Sequence, residues 1–278
     1  MVLKSFSKIN LSLNVNSKLK NGLHEIQSYY CLINLIDKIK IKKINKKKDK
    51  IVFKGKFNKH IKKSDNSITN LLRLLRNLKL ISGYYSVNVI KNIPVFSGLG
   101  GGTSNAAFVL KFFLKDRITK NILNKVEKLI GSDLRLFFHK QGFLQNLKTI
   151  KIFKKKQKLI FLLSHPNINC STHKIYSKVK KYSKKNKFNF NKINNKKKFL
   201  NHMLAQKKEL QVIVEKKYPI IKTLLIDMCA KKGCYLSRMS GSGSVCYGLF
   251  NNESNAKKAL NKIKTKYPKF WFSIAKTV

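Results

Sequence analysis

The run Gly98-Leu99-Gly100-Gly101-Gly102-Thr103-Ser104-Asn105-Ala106-Ala107 is the strongest chemical signal in the chain. Its four glycines let a backbone come close to an anion and present successive N–H groups to it. The apolar residues that follow predict a helix, whose first N–H groups and positive dipole end favour the same anion. Thr103 and Ser104 offer hydroxyls to phosphate oxygens or to a bound metal ion. No Gly-Lys-Ser/Thr closes the run and its spacing is not GxGxxG, so it is neither a Walker loop nor a dinucleotide fingerprint. A tight start to a helix that needs glycine only for packing is the other reading. Phosphate binding is favoured, because a chain with only 13 glycines in 278 residues has here concentrated four of them. Gly241-Ser242-Gly243-Ser244 is either a second anion nest or a sharp turn before a strand.

Three titratable residues could act on a hydroxyl acceptor. Asp133, in Gly131-Ser132-Asp133-Leu134, is one of only 11 acidic residues. An Asp in that place is commonly a helix cap, and the other reading is a general base for phosphoryl transfer. Lys8 shares the parity of Phe6 in an alternating stretch; it is either a surface lysine or an inward one that requires an anionic partner. His24 taken alone is as compatible with a structural role as with a catalytic one.

Elements to position these groups are legible in outline. Near period-2 alternation in FSKINLSLNV predicts a strand over 6–15, and Asn21-Gly22 a turn. Alternation over 36–53 predicts a hairpin through the turn Asn45–Lys50. Asp65-Asn66-Ser67 offers capping side chains to a helix with Leu71, Leu74, Leu75 and Leu78 on one face. A strand follows at 84–90, then the glycine loop with its helix over 94–114, then a helix at 119–130. After a basic stretch at 148–158 comes an apolar strand at 159–164. The Lys/Asn-rich stretch 178–198 predicts a solvated loop or poorly ordered helix. Pro219 opens a helix that Gly233 closes, and SRMSGSGSVCYGLF is a glycine turn leading into a strand. A helix at 253–266 and a strand FWFSIA complete the chain. Strands and helices mix without regular βα alternation, which predicts an α+β fold.

Composition excludes several classes. With 43% hydrophobic residues the chain can build a core, and no apolar run approaches the ~18–20 residues of a membrane span. The N-terminus lacks a continuous signal-peptide core, so a cytoplasmic protein is expected. Cys31, Cys170, Cys229, Cys234 and Cys246 are odd in number, scattered and without a CxxC pair. They read as small buried thiols rather than a disulfide framework or zinc site. Lys plus Arg exceed Asp plus Glu by 61 − 11 = 50. The excess is almost all lysine, accompanied by Asn and Ile throughout, as the codon usage of an A+T-rich genome would give. Nucleic-acid readout would favour arginine, so the charge is a weak pointer to a partner.

SFSKINLSLNV, NGLHEIQS, IPVFSGLGGGTSNAA, IGSDLRLFF and LSRMSGSGSVCYGLF stand in the order and spacing of the GHMP kinase superfamily, which the chain resembles over nearly its whole length. The K-I-N-L start and the G-x-H-E-x-Q segment resemble the branch that acts on a cytidine-diphosphate-linked acceptor. The resemblance implies a two-domain fold, with an N-terminal ATP-binding domain over 1–150, a C-terminal α/β-sandwich domain over 151–278, and the active site between them. It implies ATP-dependent phosphorylation of the 2-hydroxyl of 4-(cytidine 5'-diphospho)-2-C-methyl-D-erythritol, a step of non-mevalonate isoprenoid precursor synthesis, with Mg²⁺ accompanying the ATP. By the same resemblance Asp133 and Lys8 form the catalytic pair. The stretch Pro94-Val95-Phe96-Ser97-Gly98-Leu99-Gly100-Gly101-Gly102-Thr103-Ser104 wraps the ATP phosphates, and Asn66 lies near the adenine. Asn10, Gly241 and Ser242 lie on the acceptor side, His24 meets the cytosine edge and Tyr176 stacks on it. No metal-ligand residue is implied.

Three positions differ from the family pattern. Leu23 replaces a stacking tyrosine, and LQNLKTI follows Phe143 where the family has a glycine-rich turn. Leu134-Arg135 replaces Val-Pro after the base, which predicts a less rigid turn there. Two other readings stay open: another GHMP small-molecule kinase such as a homoserine or mevalonate kinase, or a basic nucleic-acid-binding protein on a kinase fold. The charge leaves nonspecific polyanion binding open in either case.

Overall fold

The structure is a computed structural model that describes residues 2–59, 61–62, 64–187, 189 and 193–278. It divides into two compact units interleaved along the chain: Met1–Lys8, Leu35–Val95 and Gly100–His139 in one, and Ile9–Asn34, Phe96–Leu99 and Lys140–Val278 in the other. Strands β1 (Val2–Asn10) and β3 (His24–Ile44) run from one unit into the other, and the glycine loop contributes to both.

In the first unit, β5 (Tyr84–Ile90) lies between β3 and β4 (Lys50–Lys54). It runs antiparallel to β3, from Lys38↔Ile90 to Ile44↔Tyr84, and parallel to β4, from Lys50↔Ser86 to Lys54↔Ile90. The alternating stretch 36–53 is therefore two strands that do not pair with each other, and the expected hairpin is corrected. Parallel neighbours need a long crossover, and helix α1 (Ser67–Asn77) supplies it between β4 and β5. Its buried face is Ile68, Leu71, Leu72 and Leu75, at i, i+3, i+4 and i+7. Leu74 and Leu78 are half-buried at its margin. Helices α2 (Gly101–Leu114) and α3 (Lys120–Ile130) pack against α1 and against a 3₁₀ stretch, Ser132–Phe138. Burying Val109, Leu110, Leu114, Leu134, Leu136 and Phe137 stabilises this contact by roughly 1.5–3 kcal/mol per large side chain.

In the second unit, β2 (Asn14–Lys18) and β6 (Gln141–Asn146) flank the first half of β3, and β7 (Thr149–Ile152) pairs with β6. The strand expected over 6–15 is broken at 11–13 into β1 and β2, and the basic stretch at 148–158 contains β7. Asn146 Oδ1 accepts from Lys148 N and Thr149 N, both at 2.9 Å, so an Asx turn links β6 and β7 where the family has glycines. A second, wholly antiparallel sheet has the order β11-β8-β10-β9: β11 (Trp271–Lys276), β8 (Ile160–His165), β10 (Cys246–Phe250) and β9 (Cys234–Met239). Its two central strands are buried almost end to end, which is why they read as continuous apolar runs rather than alternating ones.

Helices α7 (Pro219–Cys229) and α8 (Glu253–Lys266) pack on this sheet. Helix α7 ends at Cys229 with Ala230 as its cap, so Gly233 instead serves the turn into β9, at φ +82°. Helices α4 (Thr172–Tyr176), α5 (Lys196–Leu204) and α6 (Glu209–Lys217) complete the unit. The Lys/Asn-rich stretch is mainly exposed loop over 178–187, and residues 188 and 190–192 lie outside the described residues. All five cysteines are free thiols; Cys31, Cys170 and Cys246 are buried, whereas Cys229 is exposed and Cys234 half-buried, unlike the expectation.

Candidate active site

Lys8 sits near the end of the first unit's share of β1, 3% exposed, with its Nζ 3.3 Å from Asp133 Oδ2. Asp133 opens the 3₁₀ stretch just after the α3 terminus and is 33% exposed, so the pair has one buried cation and one solvent-facing carboxylate. The two readings of Lys8 resolve here: it is the inward lysine, and its counter-charge is Asp133. An ammonium this buried is costly without such a partner.

The end of the glycine loop passes directly over this pair. Gly100 has φ +70° and precedes α2; a Cβ there would lie 2.8 Å from Phe137 Cζ and 3.3 Å from Lys8 Cε. A Cβ on Gly101 would lie 2.9 Å from Ile93 Cγ2 and 3.1 Å from Lys91 Nζ. Glycine is thus required at both positions for close approach. Among the described residues no side chain caps α2, so the N–H groups of its first turn remain for an anion. Gly102 is exposed and Thr103 half-exposed beside them. The Ser104 hydroxyl is turned the other way, tying α2 to β1: it donates to Phe6 O at 2.5 Å and touches Ser5 Oγ at 2.7 Å. Ser67 Oγ donates to Gly102 O at 2.7 Å, fastening the start of α1 to the first turn of α2. Asn66 is the α1 cap, accepting from Ile68 N and Thr69 N at 3.1 and 3.0 Å. Pro94 and Val95 lead into the loop, Pro94 buried and Val95 half-buried.

Behind the loop, Lys91 Nζ and Asp37 form a buried ion pair. Asp37 also accepts from Asn92 N at 2.8 Å and Ile93 N at 3.0 Å. Burial lowers the Lys91 pKa, and Asp37 opposes that shift. Sequence reasoning passed over this pair; its signal was an Asp inside a lysine-rich strand.

In the second unit the middle of the glycine loop meets the Gly241–Ser244 turn, which is the hairpin connection between β9 and β10. Ser97 O accepts from Val245 N at 3.0 Å and Gly98 O accepts from Ser240 Oγ at 3.2 Å. A Cβ on Gly98, at φ +77°, would lie 2.0 Å from Ser240 O. Leu99 is buried, whereas Phe96 is exposed with its O accepting from Cys170 N at 3.4 Å. The structure therefore uses the 241–244 turn as a wall for the loop. Gly241 has φ +58°, and Ser242 Oγ lies 3.0 Å from Thr172 Oγ1. Asn10 belongs to the same cluster: its N donates to Ser240 Oγ at 3.2 Å and its Nδ2 to Ser28 Oγ at 2.8 Å.

His24, at the start of β3, and Tyr176, at the end of α4, come together with ring centroids 5.1 Å apart. Tyr182 lies 6.4 Å from His24 and is 45% exposed. Burial, and then the nearby Lys18 charge, hold His24 below the ordinary histidine value, so its imidazole is neutral at pH 7. Leu23 stands exposed beside it. Tyr182 was missed because it lies in a stretch read only as low complexity; its signal was an aromatic among lysines.

Residues 191–269 match the family model for the GHMP kinase C-terminal region. The chain is 38% identical over 281 residues to 4-diphosphocytidyl-2-C-methyl-D-erythritol kinase of Pelagibacter ubique, covering 99% of this chain and 98% of that one. It belongs to this kinase family. The Wolbachia pipientis enzyme of the same name is 30% identical, over 96% of this chain and 95% of its own. A crystal structure of 4-(cytidine 5'-diphospho)-2C-methyl-D-erythritol kinase matches at TM-score 0.74 and 19% identity, covering 99% of both chains. The fold is accordingly the GHMP kinase fold, of the α+β class with two sheets. Among the described residues no helix is long and apolar enough to cross a membrane.

Proposed function

We propose that the chain transfers the γ-phosphoryl group of ATP to the 2-hydroxyl of 4-(cytidine 5'-diphospho)-2-C-methyl-D-erythritol, with Asp133 as base and Lys8 as its partner. The observation that carries the reading is the Lys8–Asp133 pair with the turn at Gly100 packed against it. The acceptor hydroxyl gives its proton to Asp133 as its oxygen bonds to the γ-phosphorus; the bond to the β-γ bridging oxygen breaks and ADP leaves. Lys8, its Nζ 3.3 Å from Asp133 Oδ2, stabilises the negative charge that builds on the acceptor oxygen. The uncapped first turn of α2 supplies N–H groups to the phosphates, with the Thr103 hydroxyl beside them.

Mg²⁺ fits only as the companion of the nucleotide. Among the described residues no group of three or more His, Cys, Asp or Glu could hold a metal ion; the half-exposed Thr103 hydroxyl at the start of α2 would meet the ion beside the phosphates. When bound, it would neutralise phosphate charge and orient the transferred group.

Module assignment follows the family: residues 1–150 as the ATP-binding module and 151–278 as the C-terminal module, a division distinct from the interleaved packing units. Asn66 and the stretch Pro94–Thr103 are assigned to ATP, the Ser104 hydroxyl being committed to Phe6 O. Asn10, Gly241 and Ser242 are assigned to the acceptor. The neutral His24 has one donor and one acceptor for a cytosine edge, and Tyr176 and Tyr182 supply faces for the ring, with Tyr182 offsetting Leu23. A cytoplasmic location suits such a substrate.

Steady-state ATP turnover with this acceptor tests the proposal. Wild type is expected to turn over ATP only when the cytidyl acceptor is present, with mevalonate and homoserine inert. Asp133→Asn is expected to lower kcat by roughly 10² or more. Turnover unchanged in that variant would remove Asp133 as the base, and turnover with homoserine or mevalonate instead would reassign the acceptor.

A further inference from the structure

Asp133 rides on an element that is weak by itself. The 3₁₀ stretch Ser132–Phe138 is seven residues long, beyond the usual three or four, and such runs have poorer hydrogen-bond geometry. Its entrance is Gly131 at φ +132°, where a Cβ would meet nothing within 4 Å among the described residues. Neither that glycine nor the 3₁₀ hydrogen bonding accounts for a carboxylate held at a fixed distance from Lys8.

Support comes from outside the stretch, at both ends. Arg135, two residues after Asp133, places Nε 2.6 Å from Glu127 Oε1 and donates from Nη2 to Asn124 Oδ1 at 2.7 Å. Positions 124 and 127 are three apart on α3, on one face, so the guanidinium holds the helix through one hydrogen bond, to Asn124, and one close ion-pair contact, to Glu127. Arg135 and Glu127 are only 15% and 13% exposed, so water screens this pair less than a surface one. Burial pushes the Glu127 carboxyl up and Arg135 opposes that shift, as expected where each group needs the other. At the far end, Lys111 Nζ donates to Phe137 O at 2.6 Å while lying 4.9 and 4.6 Å from the Phe108 and Phe138 ring centroids. Three residues per turn direct side chains 133 and 135 to different faces, so the grip on α3 does not crowd the carboxylate. Of the 11 acidic residues in the chain, one serves as the base and a second holds its support.

We propose that Arg135, through Glu127 and Asn124, is a positioning residue for phosphoryl transfer that fixes the Asp133 carboxylate relative to Lys8 and the acceptor hydroxyl. The inference rests on Asp133 being the base. On this proposal a side-chain clamp at Arg135 offsets the proline missing from that position.

The test is steady-state kinetics of Arg135→Ala, Arg135→Lys, Glu127→Gln and the Arg135→Ala/Glu127→Gln double variant, below their thermal transitions, with amide exchange over 132–138 measured alongside. A displacement of about 1 Å at a reacting group can cost ~10², so Arg135→Ala is expected to lower kcat by about ten- to a hundred-fold. The KM values for ATP and acceptor should stay within about twofold. Arg135→Lys should recover part of kcat, the double variant should be no slower than Arg135→Ala, and exchange over 132–138 should accelerate. A kcat within twofold of wild type in folded Arg135→Ala overturns the proposal, as does a loss that merely tracks a falling folded fraction. If wild type itself shows no acceptor-dependent turnover, the functional reading fails instead. In that case unchanged exchange in Arg135→Ala sinks the clamp, and acceleration keeps it as what orders this turn.

Discussion

Lys8 carries its charge where water hardly reaches, and that fact decides between its two sequence readings. Parity with Phe6 did not decide it: from Ser7 to Asn10 every residue of β1 is buried, so alternation stops just where the question arises. What orients Lys8 is Asp133, more than a hundred positions away, and a local pattern contains no such information. The glycines were more legible, because a scarce residue in a cluster signals backbone demands that side chains cannot meet. Gly98 makes this testable. Alanine there would need φ near +77° and would put Cβ 2.0 Å from Ser240 O, so Gly98→Ala should lose at least ~2–3 kcal/mol in urea unfolding. His24 bears on binding. Its pKa is depressed, so the neutral ring persists at pH 7 and somewhat below 6.5, and acid adds a proton that removes the acceptor nitrogen. The KM for the cytidyl acceptor should therefore be flat from pH 8 to about 6.5 and rise below, while the KM for ATP does not follow it. A flat acceptor KM down to pH 5 would remove His24 from that site.

Strand identity was legible at the scale of elements, and strand partnership was not. Alternating Lys and Ile over 36–44 follows from a half-buried strand, and β4 was correctly seen as a strand. Their assignment to one hairpin failed because alternation fixes which face is buried and leaves the neighbour open. The structural clue is Asp49: it lies just after the lysine turn and accepts from Tyr85 N at 2.8 Å and Arg76 Nη2 at 2.9 Å, binding the head of β4 to β5 and α1. Helix α3 was found nearly to the residue, whereas α1 begins at its expected cap but ends at Asn77, before the Leu78 that was read onto its face. The 3₁₀ stretch was not found, since its period is too short-lived to recognise. The Asp37–Lys91 pair joins β3 to the segment under Gly101, and its fully buried charges give a clear prediction. Removing one partner strands the other, so Asp37→Ala should cost roughly 3–5 kcal/mol, whereas Asp37→Leu with Lys91→Met should recover only part of that loss, because Asn92 N and Ile93 N still lose their acceptor. Additive losses in the double variant, read from urea midpoints, would show that the ion pair is not the coupled unit described.

At the scale of the whole molecule, interleaving explains why a single cut near residue 150 was the natural reading. Motifs follow one another along the chain, but β1 and β3 each serve two packing units, and only contacts over long sequence separations reveal it. Charge is the other whole-molecule property. With 61 basic and 11 acidic residues, pairing every carboxylate would still leave 50 cations without one. Screening must then weaken more repulsion than attraction, although it weakens Lys8–Asp133 and its like as well. The melting temperature should accordingly rise as monovalent salt increases from ~10 mM to ~300 mM, the reverse of a protein held together by surface ion pairs. Acid acts in the opposite direction. Burial depresses the pKa of His24, His139 and His165 in the folded state. Below the unfolded value of about 6.5 the unfolded chain therefore binds more protons than the folded one, and stability falls as pH falls. Protonating histidines also adds to an already large positive charge, so the two effects share a sign. Melting curves at pH 7.5, 6.5 and 5.5 should shift downward in that order, and the shift should be smaller at high salt, where only the buried-histidine part survives. A melting temperature independent of salt would mean that the lysines stand far enough apart to ignore one another, and the charge would then bear on polyanion binding alone.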